Sequence, residues 1–278
     1  MRADLLALAA IALWGLLAPL GARLAHVPPF LLTGLGLLLG GLISLPLARF
    51  NVKAWSVPWP TLLVGVAGLF GFHFLLFMAL RHAPAVEANL INYLWPLGIV
   101  VMSPVFLPGV TLQRRHVVAA LIGFAGAIVA ITGQGGGAFA QVQFHSGYLM
   151  ALASAFVWAS YSLMTRRLPH FSTVAVGGFA TVSGLLSLLC HVALEPAVTL
   201  GLQDGLLLLV LGLGPLGGAF YLWDAALKQG DPRRIGLLAF ITPILSTLLL
   251  LLSTNQPLRW NIAMAAVLVV GAALWGRD

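Results

Sequence analysis

The residues best suited to chemistry lie in one stretch, Glu87–Pro96, which reads EANLINYLWP. A carboxylate opens it, and Asn89, Asn92, Tyr93 and Trp95 follow. Pro96, whose ring nitrogen carries no N–H, then interrupts an apolar run that continues to Leu107. Such a run is long enough to cross a bilayer, since about 20 residues at ~1.5 Å rise span the ~30 Å hydrocarbon layer. Amide, phenol and indole groups at mid-membrane depth are unfavourable unless they face protein or water. The helix is therefore expected to face a cavity, and the cavity to be the working part.

Other positions join it. Trp14, Trp95 and Trp158 fall near mid-span on three different helices, and Tyr161, three residues beyond Trp158, shares its face. They fit the walls of one pocket better than scattered core packing. Aromatic walls suit a solute with an apolar or aromatic body and can also stack on a cation. His73 lies well inside the third span, Glu87 near the outer start of the fourth, and Asp224, with Tyr221 and Trp223, towards the inner end of the eighth. His73 reads equally as a hydrogen-bonded buried imidazole, and Glu87 and Asp224 as interface groups, Glu87 also favoured by a helix N-terminus. No carboxylate sits at mid-span beside a basic partner, so proton coupling is not indicated. Pro96 and Pro243 each remove a backbone donor and free carbonyls one turn earlier. Pro19, Pro104 and Pro215 read as simple bends. Trp55, Trp59 and Trp260 fall near span ends, at the depth where indoles settle among headgroups.

The elements that must position these groups follow from composition. Of 278 residues, 60% are hydrophobic and 8% charged, and the mean hydropathy is +1.03. A soluble domain carries about 25% charged residues. The net charge of +7 forms no stripe or cluster, which argues against nucleic acid. Cys190 is alone in an apolar run, so neither a disulfide frame nor a thiolate metal site is expected. Residues 4–22 are too long for a signal-peptide core and lack a cleavage site, so they read as a retained first span.

Hydropathy predicts ten spans, near 4–24, 29–49, 59–80, 86–107, 114–133, 146–166, 171–192, 204–227, 234–253 and 258–276, separated by turn-rich segments such as HVPP, SVPWP, GQGGG and QGDP. With the N-terminus inside, the cytoplasmic segments hold eleven Lys and Arg, namely Arg2, Arg49, Lys53, Arg114, Arg115, Arg166, Arg167, Lys228, Arg233, Arg234 and Arg277. The outer ends hold three, Arg23, Arg81 and Arg259. That asymmetry places both termini in the cytoplasm.

The chain also repeats. ALAAIALW at 7–14 aligns with ALASAFVW at 151–158, and Tyr93–Pro96 aligns with Phe240–Pro243. Each half holds five spans, an odd number, so the second half must sit upside down relative to the first, as in inverted-repeat carriers. The expected organisation is 1–133, an outer linker at 134–145, and 146–278. Gly34, Gly40 and Gly41, Gly65, Gly68 and Gly71, and Gly123 and Gly126 read as helix-packing positions. Gly212-x-Gly214-x-x-Gly217 has the letters of a dinucleotide fingerprint but no preceding strand, so it is not read as one.

Ten spans, cytoplasmic termini, a five-plus-five inverted repeat and prolines in the fourth and ninth helices resemble the drug/metabolite transporter superfamily, EamA type. Within it, Glu87-x4-Asn92-Tyr-Leu-Trp-Pro96, Phe156-Val-Trp158-x-x-Tyr161 and Phe240-Ile-Thr-Pro-Ile-Leu-Ser246 are similar to the bacterial aromatic amino acid exporter branch. The resemblance implies a basket of helices around a central cavity and efflux of amino acids across the inner membrane. It also implies cavity aromatics at Trp14, Tyr93, Trp95, Trp158 and Trp223. The Gly-Glu pair that many members carry after the fourth and ninth helices is replaced here by Pro108-Gly109 and Thr254-Asn255.

The expectation is an all-α membrane protein that exports amino acids, aromatic ones included, by alternating access. Trp14, Tyr93, Trp95 and Trp158 would form its apolar walls, with Trp223 beside them. His73, Asn92, Tyr161 and Thr242 would supply hydrogen bonds, and the Pro96 and Pro243 helices would bend as the gate. Efflux of cationic drugs or metabolites, uptake of the same solutes, and a non-transporting sensor or assembly subunit are the competing readings. No HExxH, GxSxG or paired mid-membrane Asp supports an enzyme. The reading calls for a small-molecule amino acid and membrane lipid as partners. It calls for no cofactor, metal or nucleic acid, and suits a monomer or a homodimer.

Overall fold

A computed structural model describes residues 2–132, 144–255, 257 and 260–276, and every regular element among them is helical. Nine helices are long and apolar enough to cross a membrane: α1 Arg2–Arg23, α2 Pro29–Leu47, α3 Trp59–His82, α4 Ala85–Phe106, α5 Arg114–Thr132, α6 Ser146–Arg167, α7 Thr173–Leu194, α8 Leu202–Gln229 and α9 Pro232–Ser253. A shorter apolar helix, α10 Trp260–Trp275, completes the set. The expected linker at 134–145 lies outside the described residues, apart from its last two positions.

Each half finds its partners mainly in the other half. Helix α2 packs on α7 and α5 on α10, while α3 packs on α6 as α8 packs on α1, and α4 on α6 as α9 on α1. Exchanging the halves leaves this pairing unchanged, which is the contact pattern of two inverted repeats. Local irregularities recur in the same way. A π-helical segment interrupts α3 at Ala67–Gly71 and α8 at Gly214–Gly218. Helix α4 breaks at Tyr93–Leu94 and α9 at Phe240, just before Pro96 and Pro243. Each proline thus sits in the first turn of a new helical segment, where its missing N–H has no intrahelical acceptor to lose.

Small residues let the helices close up, since lipid gives no hydrophobic drive for helix association. A Cβ on Gly40 would stand 2.6 Å from both Gly217 Cα and the Leu216 carbonyl oxygen, so α2 and the π segment of α8 meet backbone to backbone. The Gly212–Gly217 motif therefore serves packing. Gly71 departs from the expectation, because the nearest foreign atom to a Cβ there would be Val157 Cγ1, at 3.8 Å. Trp55 departs as well. Its indole N–H donates to Ser44 Oγ at 2.8 Å and its ring packs against Gly177 and Gly178, which secures the α2–α3 loop on α7. Trp59 and Trp260 are exposed, in keeping with a headgroup position.

A central cavity walled by indoles

The break in α4 decides where its polar groups point. Ala85–Asn92 ends and Trp95–Phe106 begins around the Tyr93–Leu94 turn, so Asn89, Asn92, Tyr93 and Trp95 all reach one cavity of about 470 Å³. Helix α1 contributes Trp14, α3 Phe72, His73 and Phe77, α6 Trp158, α8 Phe220, and α9 Thr242 and Ser246. The indoles form one cluster. Trp14 lies 5.8 Å from Trp158 and 6.2 Å from Trp95, ring centroid to centroid, and Trp95 lies 6.3 Å from Trp158. All three pairs meet edge to face, the arrangement that ring quadrupoles prefer.

Of the nine positions singled out from the sequence as substrate contacts, seven line this cavity: Trp14, His73, Asn92, Tyr93, Trp95, Trp158 and Thr242. Tyr161 and Trp223 do not. Tyr161 shares the Trp158 face but lies almost a turn further along α6, and its ring packs on Trp158 at 5.4 Å. Trp223 sits under Trp14 at 5.1 Å and Trp95 at 5.7 Å, its N–H given to Ser162 Oγ at 3.1 Å. Both form the layer that supports the cavity wall, because depth along the helix, which a face assignment leaves open, takes them past its floor. Pro96, Pro243, Glu87 and Asp224 are also absent from the lining.

The structure adds residues that the sequence reading passed over. Thr33 lines the cavity from α2, and its hydroxyl, like that of Thr242, is buried without a hydrogen-bond partner. A threonine inside a Gly- and Leu-rich span gives no signal by itself. Phe72, Phe77, Phe220 and Ser246 were likewise missed, though Phe220 adjoins the Tyr221–Asp224 cluster. Among the described residues lining the cavity, none is Asp, Glu, Lys or Arg.

The cavity runs from the indoles towards one end of the bundle only. Its lining follows α1 from Trp14 to Gly21, α3 from Phe72 to Leu80, and α4 from Trp95 back to Ala85. The opposite end, where the chain begins, is crossed by polar ties. Arg234 of α9 pairs with Asp4 of α1 at 2.8 Å, Arg166 of α6 donates to the Gly230 carbonyl at 2.9 Å, and Arg233 donates to the Thr111 carbonyl at 2.6 Å. Asp224 accepts from Lys228 at 2.7 Å and from Thr173 at 2.6 Å, while the Lys228 ammonium lies over the Phe171 ring at 3.5 Å. Asp224 is thus a tie at the closed end, away from the cavity.

At the open end Glu195 performs a similar task. Its carboxylate, 1% exposed, accepts from the backbone N–H groups of Phe30 and Leu31 at 3.0–3.2 Å, from Arg81 at 3.0 Å, and stands 3.0 Å from His191 Nδ1. It satisfies the exposed amides that open α2 and joins α2, α3 and α7.

An all-helical bundle of this length, hydrophobic outside and hollow at its centre with one end shut, defines a multi-pass membrane protein of the carrier class. The chain belongs to the EamA-like transporter family, whose model matches residues 1–132 and again 145–275, once for each half. It is 42% identical over 274 residues to the aromatic amino acid exporter YddG of Ancylobacter novellus, covering 98% of this chain and 95% of that protein. It is 27% identical to the exporter of the same name from Salmonella typhimurium, covering 98% and 96%, and 29% identical to a probable amino-acid metabolite efflux pump of that species, covering 86% and 82%. A solved crystal structure superposes with a TM-score of 0.91 at 41% identity, covering 98% of this chain and 94% of that one.

Proposed function

We propose that this protein exports aromatic amino acids and related metabolites across the bacterial inner membrane by alternating access. The observation that carries the reading is the cavity wall of Trp14, Trp95 and Trp158, which lines the cavity at mid-span with aromatic surface suited to a planar apolar side chain. The names of the relatives at 42% and 27% identity support the same substrate class. With the termini cytoplasmic, as the distribution of Lys and Arg argues, the cavity opens to the outside and the polar ties shut the cytoplasmic end. The halves 1–133 and 146–278 then exchange roles, and the reverse state opens the end now held by Asp4–Arg234 and Thr173–Asp224. The breaks ahead of Pro96 and Pro243 are where α4 and α9 bend during that exchange. Cationic drug efflux is the weaker reading, because among the described residues lining the cavity there is no carboxylate to hold a permanent cation.

The test is counterflow in proteoliposomes loaded with unlabelled phenylalanine, with labelled phenylalanine, tryptophan, leucine and glutamate outside. Saturable accumulation of the two aromatic solutes ahead of the others is the expected result. Equal accumulation of all four, or none, overturns the substrate assignment.

A further inference from the structure

Two contacts decide which polar atoms face the cavity. His73 Nδ1 stands 2.6 Å from the Leu69 carbonyl oxygen. A carbonyl only accepts, so Nδ1 carries the ring proton, and Nε2 of the neutral imidazole is left as a bare acceptor. The second contact is at Ser154 on α6. Its Oγ lies 2.7 Å from the Ala151 carbonyl oxygen and 2.8 Å from the Asn92 side-chain amide, at the atom placed as Oδ1.

Two oxygens at such distances need a proton between them. Ser154 has one proton, and the Ala151 carbonyl has none to give. The hydroxyl proton therefore lies on Ala151, and the amide must donate to Ser154. The two ends of an amide have the same shape and are told apart by this kind of proton accounting. Asn92 consequently turns its NH2 to Ser154, which leaves its carbonyl oxygen as the free end of the amide. Asn92 and His73 both line that cavity, 5% and 8% exposed.

Building on the amino acid reading above, we propose that Asn92 Oδ1 and His73 Nε2 form an acceptor pole that takes the α-ammonium group of the substrate. The pole selects primary ammonium solutes over aromatic acids that lack one. An ammonium group has three donors and no acceptor, so neutral acceptors match it while a carboxylate finds nothing there to bind. The neighbouring indole faces add attraction for the same charge. With no carboxylate among the described residues of the lining, the ammonium is held without an ion pair, which favours release in each cycle.

The experiment uses the purified full-length protein and two half-substrates: phenethylamine, which keeps the ammonium, and 3-phenylpropionate, which keeps the carboxylate. Affinity is read from ligand-induced thermal stabilisation, so it does not depend on flux. Phenethylamine is expected to bind about tenfold more tightly than 3-phenylpropionate, the worth of one hydrogen bond to a charged group. Asn92→Asp should keep or tighten the amine, Asn92→Leu should abolish the preference, and Ser154→Ala, which frees the amide to turn, should reduce it severalfold. Preference for the acid in the wild type overturns the proposal. Loss of the amine in Asn92→Asp, or an unchanged preference in Ser154→Ala, does the same, and the latter serves where Asn92 variants fail to fold. A wild type that keeps the amine preference but moves no phenylalanine refutes the substrate assignment and leaves the acceptor pole standing.

Discussion

Trp14 and Trp158, equivalent residues of the two halves, meet edge to face with ring centroids 5.8 Å apart and planes at 74°. The two indoles are brought together because α1 and α6 approach the same central point from opposite directions. Their meeting makes the cavity wall a joint product of both repeats, so relative motion of the halves must alter it. Trp158→Ala is therefore expected to lower the counterflow of aromatic amino acids by about tenfold or more, through the lost face and the opened wall. Trp260→Ala, which removes an indole that is 74% exposed, should leave it unchanged. The check is initial rate normalised to protein recovered in the liposomes.

The close approach of α2 to α8 sets a second expectation. Gly40→Ala forces a methyl group into the Gly217 backbone and should destabilise the protein by about 1–3 kcal/mol, the usual range for overpacking. Gly71→Ala has room and should be close to neutral. Thermal denaturation of the two variants in one detergent compares them directly, and equal melting temperatures would refute the packing role.

Glu195 joins three helices at the open end. Its removal leaves two backbone N–H groups of α2 and the Arg81 guanidinium without their carboxylate. Glu195→Ala should cost about 1–3 kcal/mol, the range for leaving buried donors without an acceptor, with little added by the exposed Arg81. Glu195→Gln should lose less, since an amide oxygen still accepts from α2. A Glu195→Ala protein as heat-stable as the wild type would show that the tie contributes nothing.

The ties at the shut end carry a third kind of prediction. Asp4→Asn weakens the pair with Arg234, a half-exposed contact worth about 0.5–1 kcal/mol, and should raise the population opened at that end only a few-fold. With Cys190 replaced, a cysteine introduced at Ser162, which is buried next to Trp223, reports this opening as faster labelling by a thiol reagent from the cytoplasmic side. Slower labelling in Asp4→Asn would contradict the role of the pair.

Asp231, in the turn before α9, makes stability depend on pH. Burial raises its carboxyl, but the hydrogen bonds from Arg233 and the charge beside it outweigh burial and hold it below the usual 3.8. A group depressed on folding stabilises fully above its unfolded value and loses that contribution as pH falls through the folded one. The loss is expected below about pH 4. Asp231→Asn should flatten the acid limb of the melting-temperature profile while keeping the cap on α9, since an amide oxygen caps a helix as well as a carboxylate does. An acid limb identical to that of the wild type would sink this assignment.

Much of this protein is legible before any folding is considered, because the bilayer imposes a local rule. A segment must be long and apolar enough to cross, and the helix from Ser146 to Arg167 obeys it to within a residue of expectation. The repeat, the prolines and the mid-span indoles are also local, and they pointed to a solute cavity. Three-dimensional packing decided the rest. Tyr161 shares the Trp158 face yet packs on the Trp158 ring outside the cavity lining, while Thr33, which carries no signal in its own span, lines the wall. A helical period tells which residues share a face, but the depth and rotation of that face depend on the neighbouring helices. Glu195 shows the limit most clearly. It caps a helix 165 residues away, and nothing in the chain near it announces that partner.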